Sequence, residues 1–300
     1  MVDGGWLFHR ARWSWGKSWN PDDFAGLMFS VLDHLRSLCF DPRCQSGRLC
    51  LFFDSGVSFR HRVFPGYKAN RRSMTKEDAI NSVALRSHLE YSLKTIFPKI
   101  GISTYQKTGL EADDLIAAAC LSLPPSTRAI IITSDNDLYQ CISNNVHWYD
   151  PTRLRYLTSE TFKSYKGVRS DQWVQVKELS GCSSDGISGV GGVGEVTAID
   201  YICGRLLPNS KRYMRIQSAD GREIIARNRE LVSLPHKLTG VVVPREPHYN
   251  WDGFKSLCFQ YGWESFVDFS SARGRSWRVL CAGRASLIDS HLRHSRRRGE

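Results

Sequence analysis

Apolar positions in the first 140 residues fall into two alternating patterns. Residues 49–53 and 129–133 are short unbroken apolar runs, the mark of buried strands. Residues 22–38, 78–97 and 112–123 carry apolar side chains at helical spacing, and Pro21 with two acids precedes the first of them. Met1 to Asp3 reads as the end of a very short strand. Strand and helix in alternation predict an α/β fold, a mostly parallel central sheet flanked by helices. The second half changes character. Residues 180–196 are rich in Gly and Ser, and helical sequence resumes at Thr197. Residues 211–246 read as hairpin and loop, with Asp220-Gly221 as a turn signal, and residues 251–267 as helix. From Ser290 onward, His291, Arg293, His294, Arg296, Arg297 and Arg298 make a basic tail suited to phosphates.

Charge adds a partner. The 300 residues hold 41 Lys and Arg against 30 Asp and Glu, a net charge of +11. Such an excess points to a polyanion, most commonly nucleic acid. No apolar run is long enough to span a bilayer, and the N-terminus has an acid at Asp3 and no long apolar stretch, so neither membrane nor secretion is expected. The nine cysteines read as reduced thiols of a cytoplasmic protein. Cys39, Cys44 and Cys50, with His34 nearby, fit no standard zinc spacing.

The acids carry the chemistry. Asp3 follows a strand residue, Asp54 follows the run ending at Phe53, and Asp135 and Asp137 follow the run ending at Thr133. In extended chain, positions two apart point the same way. Strand carboxyl ends line the ligand crevice of an open parallel sheet, so these acids are expected to converge. Glu111, Asp113 and Asp114 open an apolar helix, where the helix dipole alone would favour them. Two carboxylates about 5 Å apart repel by about 3 kcal/mol at an effective dielectric of 20. A cluster of six or seven therefore calls for hard divalent cations, Mg²⁺ or Mn²⁺.

Basic and aromatic residues interleave between Phe59 and Lys76: Arg60, Arg62, Lys68, Arg71 and Arg72 alternate with Phe64 and Tyr67. That mixture neutralises phosphates and stacks on unpaired bases. Gly189, Gly191, Gly192 and Gly194 formally satisfy a dinucleotide-binding pattern, but no strand precedes them. A turn that brings backbone N–H groups to a DNA phosphate at a helix N-terminus fits better.

The segments VDGGWLFHRA, LFFDSGVSFRHRVFPGYKANRR, GLEADDLIAAA, IITSDNDLYQ and ELSGCSSDGISGVGGVGEVTAIDYI, in that order, resemble the flap endonuclease/5′–3′ exonuclease family. That family includes the 5′-nuclease domains of bacterial DNA polymerases and bacteriophage exonucleases. RNRELVSLP and NWDGFKSLCFQYGWESF resemble the C-terminal part of the phage members, and the resemblance covers about residues 1–268. It implies a PIN-like catalytic domain over 1–176 with a helical arch about 68–90. A helix–three-turn–helix region over 177–268 and a basic extension over 269–300 would follow.

The resemblance further implies a two-metal phosphodiesterase, a structure-specific 5′ nuclease cutting DNA at 5′ ends, flaps and junctions, with RNA–DNA hybrid as a further substrate. Asp3, Asp54, Glu111, Asp113, Asp114 and Asp135 would hold one ion, and Asp137 and Asp185 the second. Such ions activate water and stabilise the leaving oxygen. Lys68 and Arg71 would hold the scissile phosphate, with Arg60, Arg72 and Lys177 also at the DNA. The glycine turn would grip duplex through K⁺. The protein would act as a monomer. Two departures stand out. Where the family has G-D-x-x-D-N, Cys182 replaces an acid and Gly186 an Asn. Thiolate is a poor ligand for Mg²⁺. Val196 also stands where a Lys is usual. The alternatives are a PIN-like ribonuclease, or a DNA-binding homologue with weakened catalysis.

Overall fold

The computed structural model describes residues 1–16, 19–44, 48–69 and 75–282. In chain order its helices and strands are β1 (Val2–Asp3), α1 (Gly4–Trp13), α2 (Phe24–Phe40), β2 (Cys50–Phe53), α3 (Arg60–Val63), α4 (Lys76–Tyr91), α5 (Phe97–Ile100), β3 (Ser103–Gln106), α6 (Ala112–Leu121), β4 (Ala129–Ile132), β5 (Val146–Asp150), β6 (Arg155–Leu157), α7 (Ser159–Lys166), α8 (Trp173–Ser180), β7 (Gly181–Cys182), β8 (Ile187–Ser188), α9 (Glu195–Ile202), α10 (Lys211–Gln217), α11 (Ala219–Val232), α12 (Trp251–Tyr261) and α13 (Ala272–Cys281). Short 3₁₀ turns add Asp137–Cys141 and Ser183–Asp185, and a π-helical turn, Ser92–Ile96, joins α4 to α5. The chain forms two compact units. The first holds residues 1–53, 75–105 and 244 onward, the second residues 54–74 and 106–243.

In the first unit β1 runs parallel to β2, with Val2 opposite Leu51 and Asp3 opposite Phe52. All four β2 residues are buried, as an unbroken apolar run requires. Phe8 of α1 meets Phe53 and Phe97 edge-on, each with ring centroids 6.3 Å apart. Toward the C-terminus Trp277 packs on Phe254 at 4.3 Å. In the second unit β4 runs parallel to β5, and β6 returns antiparallel to β5. Tyr139, Trp148, Phe162 and Trp173 interlock in edge-to-face pairs at 4.8 to 5.7 Å. The mostly parallel strands and their covering helices bear out the expected fold class.

The stretch 211–246 differs from its reading as hairpin and loop. It holds two helices, and Asp220-Gly221 lies in the first turn of α11. Ser218 caps that helix by accepting from the Gly221 N–H at 3.0 Å. The glycine serves close approach: a Cβ there would lie 2.0 Å from the Arg215 carbonyl oxygen. Gly221→Ala is therefore expected to destabilise the fold by about 2 kcal/mol through overpacking against backbone. Chemical denaturation reads this directly, and an unchanged midpoint would show that α10 and α11 can move apart.

Candidate active site

The second unit gathers most of the acids. Glu111 caps α6, and Asp114 three residues on accepts from the Glu111 N–H at 3.3 Å, a reciprocal capping arrangement. Acids in a first helical turn also meet the positive end of the helix dipole. Asp54 joins them by accepting from the Ala112 N–H at 2.7 Å. Glu111, Asp113, Asp137 and Asp185 line one small cavity with Arg60 and Tyr67.

Asp135 and Asp137 do not project from extended chain. Asp137 opens a 3₁₀ turn, and its N–H donates to Asp135 Oδ1 at 2.8 Å. The local turn of a short polar side chain on its own backbone overrides strand geometry here. Asp3 belongs to the first unit, where it caps α1 by accepting from the Trp6 N–H at 3.0 Å.

Asp137, Cys182 and Asp185 each bring a donor atom within 4.8 Å of the other two. Cys182 is on β7, and the turn that follows returns through Asp185 to β8. The hairpin needs Gly181 at φ 73°, where a Cβ would lie 2.3 Å from the Ile187 carbonyl. The Cys182 thiol donates to Asp137 Oδ2 at 3.6 Å and touches Ser184 Oγ at 3.0 Å. Burial, with Asp137 adding to it, pushes the thiol up to about 11, so it is neutral at physiological pH. Two carboxylates and a neutral thiol suit a divalent ion less well than three carboxylates.

Cations are threaded among the acids. Lys68 Nζ lies 2.7 Å from Glu111 Oε1. Burial opposes its charge, but Glu111, Asp185 and Asp54 together raise its pKa above the usual lysine value. Lys68 is non-glycine backbone at φ 55°, and its N–H donates to the Asp185 carbonyl at 2.7 Å. Lys177 Nζ lies 2.6 Å from Asp137 Oδ1 and donates to Asn136 Oδ1 at 2.9 Å. It is buried, so it neutralises the acids rather than presenting itself to DNA.

Arg60 likewise departs from its reading as a phosphate contact. It is 2% exposed and forks onto Asp114, Nη1 to Oδ2 at 2.6 Å and Nη2 to Oδ1 at 2.8 Å. Burial works against its charge, but Asp114 and Glu111 raise its pKa beyond the ordinary arginine range. Asp114 is fully buried, and both its carboxylate oxygens accept from this guanidinium. Arg71 and Arg72 lie outside the described residues, as do residues 283–300 with the basic tail.

Tyr67 has a part that spacing did not reveal. Read as a stacking aromatic, it is 2% exposed, and its hydroxyl donates to Glu111 Oε2 at 2.8 Å and contacts Asp185 Oδ2 at 3.2 Å. It thus joins the acids of α6 to the acid after Cys182. Its position beside Lys68 is the one signal that could have placed it there.

The glycines divide by task. Gly189 sits where a Cβ would lie 2.3 Å from the Ser180 carbonyl carbon, so it serves packing against α8. Gly192 turns at φ 76°, and Arg215 donates to the Gly191 carbonyl at 3.1 Å. Gly194 is the N-cap of α9, with open space where its side chain would be. Val196 on that helix is exposed, and Glu195 pairs with Lys166 at 2.7 Å. Among the described residues no helix is long and apolar enough to cross a membrane.

Residues 1–170 match the family described as 5′–3′ exonuclease, N-terminal resolvase-like domain. The chain is 33% identical over 151 residues to thermostable DNA polymerase I of Thermus aquaticus, a match covering 50% of this chain and 17% of the polymerase. It is 27% identical over 202 residues to a 5′–3′ exonuclease of Buchnera aphidicola, covering 66% of this chain and 67% of that protein. The fold is similar to that of T5 5′-exonuclease with bound zinc, at a TM-score of 0.64 and 24% identity over 78% of this chain and 88% of the other. Since the family model matches residues 1–170, more than half of its length, this chain belongs to the 5′–3′ exonuclease family.

Proposed function

We propose that this chain is a metal-dependent 5′ nuclease, a 5′–3′ exonuclease and flap endonuclease that hydrolyses DNA phosphodiesters. The observation that carries the reading is the cavity lined by Glu111, Asp113, Asp137 and Asp185, because four carboxylates beside one another need cations to stay ionised together. Carboxylate oxygens suit Mg²⁺ or Mn²⁺. Asp54, Glu111, Asp113 and Asp135 would serve one ion, and Asp137 and Asp185 a second, with Cys182 at its side. Two divalent ions would supply activation of water and charge stabilisation at the leaving oxygen. Lys68 would meet the reacting phosphate, together with Arg71, and Arg72 would hold the strand nearby. The turn from Gly189 to Gly194 would take the duplex backbone at the start of α9, with K⁺ as a bridging ion. The substrates would be 5′ ends, flaps and junctions, with RNA–DNA hybrid as a second class, met by a cytoplasmic monomer. A polymerase relative and a stand-alone exonuclease relative both support this, as does a T5 flap endonuclease structure with DNA and metal ions.

The test is cleavage of a 5′ flap, a nicked duplex and single-stranded RNA, with Mg²⁺ or Mn²⁺ and after chelation. Cutting of the flap that stops with chelator is the expected result. Cutting of single-stranded RNA alone would replace the reading with a ribonuclease. Binding of the flap without cutting in either metal would replace it with a DNA-binding role.

The thiol bears on metal dependence. Cys182→Asp adds a hard oxygen and a negative charge beside Asp137 and Asp185. Activity is expected to saturate at about tenfold lower Mg²⁺, which corresponds to about 1.4 kcal/mol. A Mg²⁺ titration of the cleavage rate compares the two proteins. Superimposed curves would show that position 182 does not face the second ion.

A further inference from the structure

Arg60 has more partners than a paired charge requires. Besides its fork onto Asp114, Nη1 lies 3.4 Å from Glu111 Oε2. Nε donates to the Leu231 carbonyl at 2.7 Å, and Nη2 reaches the Ser233 carbonyl at 3.5 Å. Asp114 Oδ1 accepts in turn from the His236 N–H at 2.7 Å, and the His236 ring stacks on Phe59 at 6.2 Å. Gln140 closes the same stretch, donating to the Val232 carbonyl at 3.1 Å and accepting from the Leu234 N–H at 2.9 Å. One guanidinium thus ties the first turn of α6 to the end of α11 and the residues after it. A planar fork with its donors in fixed directions can do this, and an ammonium cannot.

We propose that Arg60 is a positioning residue for the metal centre, which with Asp114 sets the place of Glu111 against the segment Leu231–His236. The inference rests on the nuclease reading, since it takes Glu111 as a metal ligand. Arg60 itself touches neither metal nor DNA. Its guanidinium and Tyr67 both reach Glu111 Oε2, which limits the rotamers open to that side chain. Groups that orient a ligand commonly change metal affinity 10- to 100-fold when lost.

The experiment compares the wild type with Arg60→Lys, and with the double variant Arg60→Met/Asp114→Leu. Replacing both members of a buried pair by apolar residues of similar size is often tolerated by the fold. The double variant therefore keeps the test open if the single one fails to fold. Mn²⁺ affinity is measured calorimetrically on DNA-free protein, alongside kcat and KM on a 5′ flap. Both variants are expected to bind Mn²⁺ about 10- to 100-fold more weakly and to lose kcat, with KM for the flap held. Wild-type Mn²⁺ affinity in a folded variant would overturn the inference. So would a raised KM with unchanged kcat, the result of a phosphate contact. The nuclease reading fails separately, in the wild type, if that protein binds Mn²⁺ and leaves the flap uncut. The affinity ratio between variants still judges Arg60 in that case.

Discussion

Asp113→Ala is expected to reduce kcat on a 5′ flap by about 10³-fold or more, a loss of about 4 kcal/mol of transition-state stabilisation. Asp113 lies one residue before the buried Asp114 and lines the cavity shared with Glu111, Asp137 and Asp185. A carboxylate lost there leaves a metal site short of a ligand. DNA affinity should hold or improve, since a charge that repels phosphates is removed. Single-turnover cleavage in Mg²⁺ and equilibrium binding of the same flap without metal separate the two effects. A rate within about tenfold of wild type would take Asp113 out of the metal centre.

Lys68→Ala is expected to cost about 10²- to 10³-fold in kcat, with a much smaller change in KM. The reason lies in how Lys68 is held. Its backbone is in the left-handed region, a conformation that costs free energy and persists only where surrounding contacts enforce it. The Asp185 carbonyl supplies one such contact and Glu111 pairs the ammonium. The lysine is therefore aimed before substrate arrives, and an aimed charge stabilises the transition state more than the ground state. Steady-state kinetics on the flap across substrate concentrations would check this. A rise in KM at unchanged kcat would make Lys68 an ordinary phosphate contact.

Local pattern revealed much of this protein and pairing over long separations revealed little. The helix bearing Glu111, Asp113 and Asp114 was legible because its apolar run is long and starts on capping acids. The strand ending at Ile132 was legible because its run is short, unbroken and apolar. Helix α11 was not, because ADGREIIARNRELV carries a turn dipeptide at its start. Only its buried face, Leu231 and Val232 among it, and the Ser218 cap make it helical. Arg60 looked like a nucleic-acid contact because it stands in a basic, aromatic stretch. Its real partner is 54 positions away, and no spacing rule reaches that far. Asp114 misled for the matching reason, since adjacent acids on a helix look equivalent in sequence while one faces the cavity and the other a guanidinium. Lys177 was found as a candidate, but its burial on Asp137 shows only in three dimensions.

The way the chain alternates between the two units has a consequence for biosynthesis. The second unit begins at Asp54, is interrupted by residues 75–105, and ends only at Val243. Arg60 must wait 171 residues for the carbonyl of Leu231, and Asp114 must wait 122 for the N–H of His236. Closing such long loops is slow relative to helix formation. On the ribosome, the acids of α6 therefore emerge well before the segment that braces them. During that interval the nascent chain carries an unbraced acidic cluster, and the mature arrangement can form only once His236 has emerged.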